Sequence, residues 1–153
     1  MCHRFRAAAV ALGVLSGLSG PAGAATAERT DATRAAGNTR LTGVWSWTDM
    51  QQCTESYEYR ADGSGQVSSG DERTDVRYTL SPEPQEGDFF RLDVTIQHNS
   101  GGKDCLGESG DDAGETYTVF VTFQPDENTH LVCYQPDFTR CFGPLRRQPP
   151  GAH

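Results

Sequence analysis

At 153 residues and 16.6 kDa the chain has room for one ordinary domain, and only 35% of it is apolar. Its 13 basic and 21 acidic residues leave a net charge of -8, which argues against nucleic acid and anionic membrane surfaces as partners, since both are bound mainly through Lys and Arg. The charge is spread along the chain, and solubility accounts for most of it.

Residues 1–24 read as a secretory signal. Arg4 and Arg6 form a positive start, an apolar run extends from Ala7 to Leu18, and Ala22-Gly23-Ala24 offers a small-residue cleavage site. The run is short and interrupted by Gly13, Ser16 and Gly17, so a membrane span is not expected. The expected destination is the periplasm or the exterior. No cysteine stands at Ala25 for lipid attachment. Residues 25–40 are polar and alanine-rich without an apolar stripe, and are expected to form a flexible arm. At the other end, residues 148–153 contain Pro149 and Pro150 and are expected to be a disordered tail. The folded domain is then 41–147.

Within that domain the dominant period is two. Gly43, Trp45 and Trp47 alternate with Val44 and Ser46; Tyr57 and Tyr59 with Glu58; Val76, Tyr78 and Leu80 with Arg77 and Thr79. Phe90, Leu92, Val94 and Ile96 continue the pattern, as do Tyr117, Val119, Val121 and Phe123. Turn residues separate these runs at 61–64, 69–71, 82–84, 100–102 and 125–128. The reading predicts about eight strands, near 41–48, 55–60, 64–68, 72–80, 88–98, 115–124, 129–134 and 138–143. Short links imply an all-β antiparallel meander, and up-and-down connectivity favours a small closed β-barrel over a sandwich.

Cys2 leaves with the signal, and Cys53, Cys105, Cys133 and Cys141 remain as an even set in an exported chain. Disulfides are the default, with three pairings open. Cys133 and Cys141 flank a Gln-Pro-Asp turn, which favours that pair and therefore Cys53 with Cys105. A metal site is disfavoured because no C-x-x-C pair is present, and no cofactor is expected.

Chemistry is harder to find. The loop from Asp104 to Glu115 holds five carboxylates in twelve residues but lacks the ordered spacing of a calcium loop, so a wet acidic loop is the better reading. No G-x-S-x-G occurs, and pairs such as Glu55 with Glu58 are what any acidic chain offers. A non-catalytic role is expected. The aromatic residues on the predicted inward faces, Trp47, Tyr57, Tyr59, Tyr78, Phe90 and Tyr117, either line a ligand cavity or fill a narrow barrel.

Leu41-Thr42-Gly43-Val44-Trp45 resembles the G-x-W on the first strand of the lipocalin and calycin barrels. The resemblance implies that Gly43 bends the chain, that Trp45 plugs one barrel end, and that a basic residue late in the chain, Arg140 or Arg146, packs on that indole. It also implies carriage of a small, partly apolar ligand by a monomer. Gly43-x-Trp45 followed by Cys53 is equally similar to small periplasmic inhibitors of bacterial metalloproteases, which are barrels too. There the N-terminal arm enters the protease, so a protein target in the envelope is the alternative. A structural envelope protein is the third reading.

Overall fold

The computed structural model describes residues 39–149 and 151; the signal segment 1–24 and nearly all of the arm lie outside the described residues. The alternating segments form β1 (Gly43–Thr48), β2 (Thr54–Tyr59), β3 (Ser64–Ser69), β4 (Glu72–Leu80), β5 (Phe90–Asn99), β6 (Thr116–Phe123), β7 (Thr129–Cys133) and β8 (Cys141–Arg147). Each strand pairs antiparallel with the next and β8 returns to β1, closing an eight-stranded barrel. The all-β meander, its closure and its two disulfides, Cys53–Cys105 and Cys133–Cys141, are as the sequence reading expects. Among the described residues no helix is long and apolar enough to cross a membrane.

Alternation decides the faces, because residues opposite each other on neighbouring strands point the same way. Trp45 lies opposite Tyr57 and Arg147, Tyr59 opposite Gly65, Tyr78 opposite Val94, and Phe123 opposite His130. The inward set packs into one core that includes Leu41, Trp45, Tyr59, Val76, Tyr78, Leu80, Phe90, Leu92, Val121 and Leu145. Gly65 makes room for that packing. A Cβ there would stand 2.7 Å from the Glu58 carbonyl and 3.4 Å from the Tyr59 ring, so the tyrosine lies across a bare stretch of β3.

The last strand departs from expectation. Predicted at 138–143, it runs Cys141–Arg147. The preceding residues are spent on the hairpin turn: Asp137 accepts hydrogen bonds from the Thr139 amide and hydroxyl, and the Tyr134 amide donates to the Arg140 carbonyl. Gly143-Pro144 lies within the strand, in a bulge where residues 143 and 144 stand against Leu131 alone, the place where a sheet tolerates proline.

The termini differ as well. Residues 39–41 are helical, and Leu41 is fully buried. The Gln148 amide donates to the Val44 carbonyl and its side chain to Ser46 Oγ, so the barrel's hydrogen bonding extends one residue into the predicted tail.

Candidate functional site

The two ends of the barrel are chemically unlike. At the end where the chain enters, Trp45 is completely buried and its indole N–H donates to the Leu41 carbonyl at 2.7 Å. A guanidinium lies over its ring at 4.1 Å, and it belongs to Arg147. This corrects the expectation for Arg140 and Arg146. Arg146 pairs with Ser46 and Thr129 and points outward with them, whereas Arg147 is opposite Trp45. Arg140 lies in the hairpin, 5.0 Å from the Tyr134 ring centroid. Arg147 also donates to the carbonyls of Thr42, Arg40 and Glu127, tying the entering segment to the β6–β7 turn. Gly43 has φ +131°, and a Cβ there would meet Arg147 Nη1 at 2.7 Å. A second cation, Arg40, covers Phe90 at 4.7 Å and pairs with Glu127.

His130 belongs to this end. Its ring packs edge-on against Trp45 at 4.3 Å and near Phe123 at 5.4 Å, and its Nδ1 is buried without a hydrogen-bond partner. Burial holds the imidazole well below its ordinary 6.5, at about 3, and the neighbouring Arg147 charge acts in the same direction. It is neutral under all ordinary conditions. Among the described residues, Trp45, Phe90 and His130 at this end are buried, and Arg40 covers both Phe90 and the partly buried Phe123.

The opposite end is an open rim. Trp47, Tyr57, Tyr134 and Phe142 are half-buried there and pack against the top of the core. Phe142 is central, with ring centroids 5.8 Å from Trp47 and 6.4 Å from both Tyr57 and Tyr134. Tyr117 shares the inward parity of Val119 and Val121 but, at the start of β6, remains 43% exposed. Below the rim Tyr57 stacks at 6.4 Å on Tyr59, which meets Tyr78 edge-on at 4.7 Å. Burial raises both core phenols above the usual tyrosine range, and the Tyr78 hydroxyl donates to the Arg60 carbonyl.

A carboxylate sits among these rings. Glu55 lies opposite Trp47 on one side and Ser69 on the other, so it points inward. Its Oε2 accepts from the Trp47 indole N–H at 3.0 Å and from the Tyr57 hydroxyl; its Oε1 accepts from Ser69 Oγ at 2.8 Å. The Ser69 hydroxyl oxygen in turn accepts from the Cys105 amide, and the Cys53–Cys105 bridge anchors the 100–115 loop at the same place. Further along the rim Asn99 donates to Glu72 and to Asp112, 2.7 Å each, holding that loop against the barrel. Glu58, by contrast, pairs with Val44 and Gln66 on the outer face and binds Arg60. Glu55 and Glu58 therefore never face a common substrate.

Six aromatic residues are expected either to line a ligand cavity or to fill the barrel. The structure gathers Trp47, Tyr57 and Tyr117 at the open rim and sets Tyr59, Tyr78 and Phe90 in the packed core. Sequence reasoning missed Tyr134, Phe142, Ser69 and Glu55 as rim residues. The signal for Glu55 was present, since it shares parity with Tyr57 and Tyr59 in Thr-Glu-Ser-Tyr-Glu-Tyr. Comparisons of the chain with protein-family models, with curated proteins and with solved structures find no match.

Proposed function

We propose that this protein is an exported, monomeric, non-catalytic binding module that takes a small, partly apolar ligand at the open end of its barrel. The observation that carries this reading is the half-buried ring cluster of Trp47, Tyr57, Tyr134 and Phe142, with Tyr117 exposed at the same end. Large rings left partly in water at the mouth of a filled barrel present apolar area that a ligand can cover. The rim is held in shape by both disulfides, which limits the ordering cost of binding. Two disulfides also fit a compartment outside the cytoplasm. The Arg147 stack on Trp45 supports the lipocalin-like reading, with the basic partner one residue beyond the expected Arg146.

The test is ligand-observed NMR of the disulfide-intact protein against a library of small amphiphiles. Phe142→Ala should weaken any hit about tenfold or more while the barrel still unfolds cooperatively. A library without hits, or hits indifferent to Phe142→Ala, Tyr57→Ala and Trp47→Ala alike, would sink the reading. The inhibitor alternative turns on residues 25–38. The chain joins the barrel at residues 39–41, opposite the rim, so deleting the arm should leave rim binding untouched and abolish any protease inhibition.

A further inference from the structure

The rim's chemistry narrows what it binds. Glu55 is half-buried, and all of its hydrogen-bond donors, from Trp47, Tyr57 and Ser69, are neutral. Among the described residues, ion pairs join Arg40 to Glu127, Arg60 to Glu58 and Arg91 to Asp93, and none involves Glu55. Its charge is thus hydrogen-bonded but not neutralised. Three donors occupy three of the roughly four acceptor positions a carboxylate offers, leaving one on Oε1.

The surrounding rings favour the same sign of partner. Aromatic faces are negative and attract cations, and the protein uses that attraction repeatedly: Arg147 covers Trp45, Arg40 covers Phe90, and Arg140 covers Tyr134 at the rim itself. Trp47 and Tyr57 donate to the carboxylate, and Phe142 packs against both of their rings. The field at larger distance agrees, because the bridge and the Asn99 contacts pin the 100–115 loop to this end. That loop carries Asp104, Glu108, Asp111, Asp112 and Glu115 against the single Lys103. Arg73 and Arg140 also stand at this end, but the carboxylates there outnumber the cations, and a predominantly negative surface raises the local concentration of cations.

We infer that the rim binds an organic cation, an ammonium or guanidinium group on a small apolar body, with its charged head at Glu55 and its body among Trp47, Tyr57 and Phe142. The inference rests on the binding-module reading and sharpens it. A carboxylate-headed ligand such as a fatty acid is disfavoured at this position by like charge, and a neutral ligand gains a hydrogen bond from Glu55 but no charge attraction.

Three soluble probes of one shape separate the cases: protonated benzylamine, benzyl alcohol and benzoate, titrated by calorimetry or NMR at pH 7 into the full disulfide-intact protein. Benzylamine should bind about tenfold or more tighter than benzyl alcohol, and benzoate weakest of the three. The gap should shrink in high salt. In Glu55→Gln the ratio of benzylamine to benzyl alcohol affinity should collapse towards unity, whatever the variant does to both. Equal binding of benzylamine and benzyl alcohol overturns the cation assignment and leaves the binding module standing. A cation preference that survives Glu55→Gln overturns the role of Glu55. Failure of all three probes counts against both readings, and the wild-type comparison decides the cation question if Glu55→Gln does not fold.

Discussion

Acidification below pH 6.5 is expected to destabilise the barrel through one residue, His130. The unfolded chain binds a proton at the ordinary imidazole pKa of 6.5, whereas the folded chain resists until about pH 3. Between those values the unfolded state carries the extra proton, so stability is fully present above 6.5 and falls as pH falls. At 1.36 kcal/mol per pH unit, the loss reaches about 2 kcal/mol at pH 5 and about 4 to 5 kcal/mol near pH 3, large against the roughly 5 to 15 kcal/mol that hold a typical domain. The physical cause is that a protonated ring would stand beside Arg147, buried against Trp45 and Phe123, with no partner for its Nδ1 proton. The assay is urea unfolding of the wild type and of His130→Leu at half-unit steps from pH 8 to pH 4. The variant should start less stable, because it loses the packing on Trp45, yet its profile should be flat where the wild type declines. Asp62 and Asp137, whose carboxyls are held low by hydrogen bonds from Ser64 and Thr139, contribute only below about pH 4 and do so in both proteins. Parallel profiles between pH 6.5 and 4 would refute the argument.

Gly43→Ala should cost about 1 to 3 kcal/mol, since φ +131° is poor for any L side chain and the new Cβ displaces the Arg147 guanidinium from the Thr42 carbonyl; the urea midpoint measures it. The two disulfides should differ in worth. Cys53 and Cys105 are 52 residues apart and Cys133 and Cys141 only 8, so chain entropy gives about 4 and about 2.5 kcal/mol respectively. Unfolding of the two double-alanine variants should follow that order, and a reversal would show that the short bridge stabilises by something other than entropy.

Faces were legible in the sequence, and heights were not. Period-two alternation identified β1, β2, β4, β5 and β6 and their inward sides, because one face had to be apolar, whereas the predicted β8 begins three residues early. Trp47, Tyr57, Tyr59, Tyr78, Phe90 and Tyr117 all carry that inward parity. Whether such a ring fills the core or stands at the mouth depends on how far along the barrel its strand places it, and strand stagger leaves no mark in a single strand's composition. Tyr57 and Tyr59 are two residues apart with the same parity, yet one is half-buried at the rim and the other is in the core. Arg147 was missed for a related reason. The predicted strand stops at 143, and the bulge that takes up Gly143-Pro144 lets β8 continue far enough to set a guanidinium on Trp45. Glu55 was legible by parity, but an inward carboxylate contradicts the expectation of an apolar interior until Trp47, Tyr57 and Ser69 are seen to donate to it.

The unlike ends lead to one more expectation, about how effects partition. At the entry end the contacts hold the fold: the indole of Trp45 donates to Leu41 and is covered by Arg147, and Arg40 covers Phe90. At the rim, Glu55 and the half-buried rings leave charge and apolar area unspent. Trp45→Ala should therefore cost about 3 to 5 kcal/mol in stability with little change in benzylamine affinity wherever the variant remains folded. Phe142→Ala should do the converse, weakening binding strongly and stability by less, since its ring is only partly buried. Trp45 has Phe123 and His130 as ring neighbours and Phe142 has Trp47, Tyr57 and Tyr134, so the two effects are expected to add: the double variant should show the stability loss of the first and the affinity loss of the second, within about 0.5 kcal/mol. Strong coupling between the two would mean that the core transmits strain from one end to the other, and the division of the barrel into a stabilising end and a binding end would fall with it.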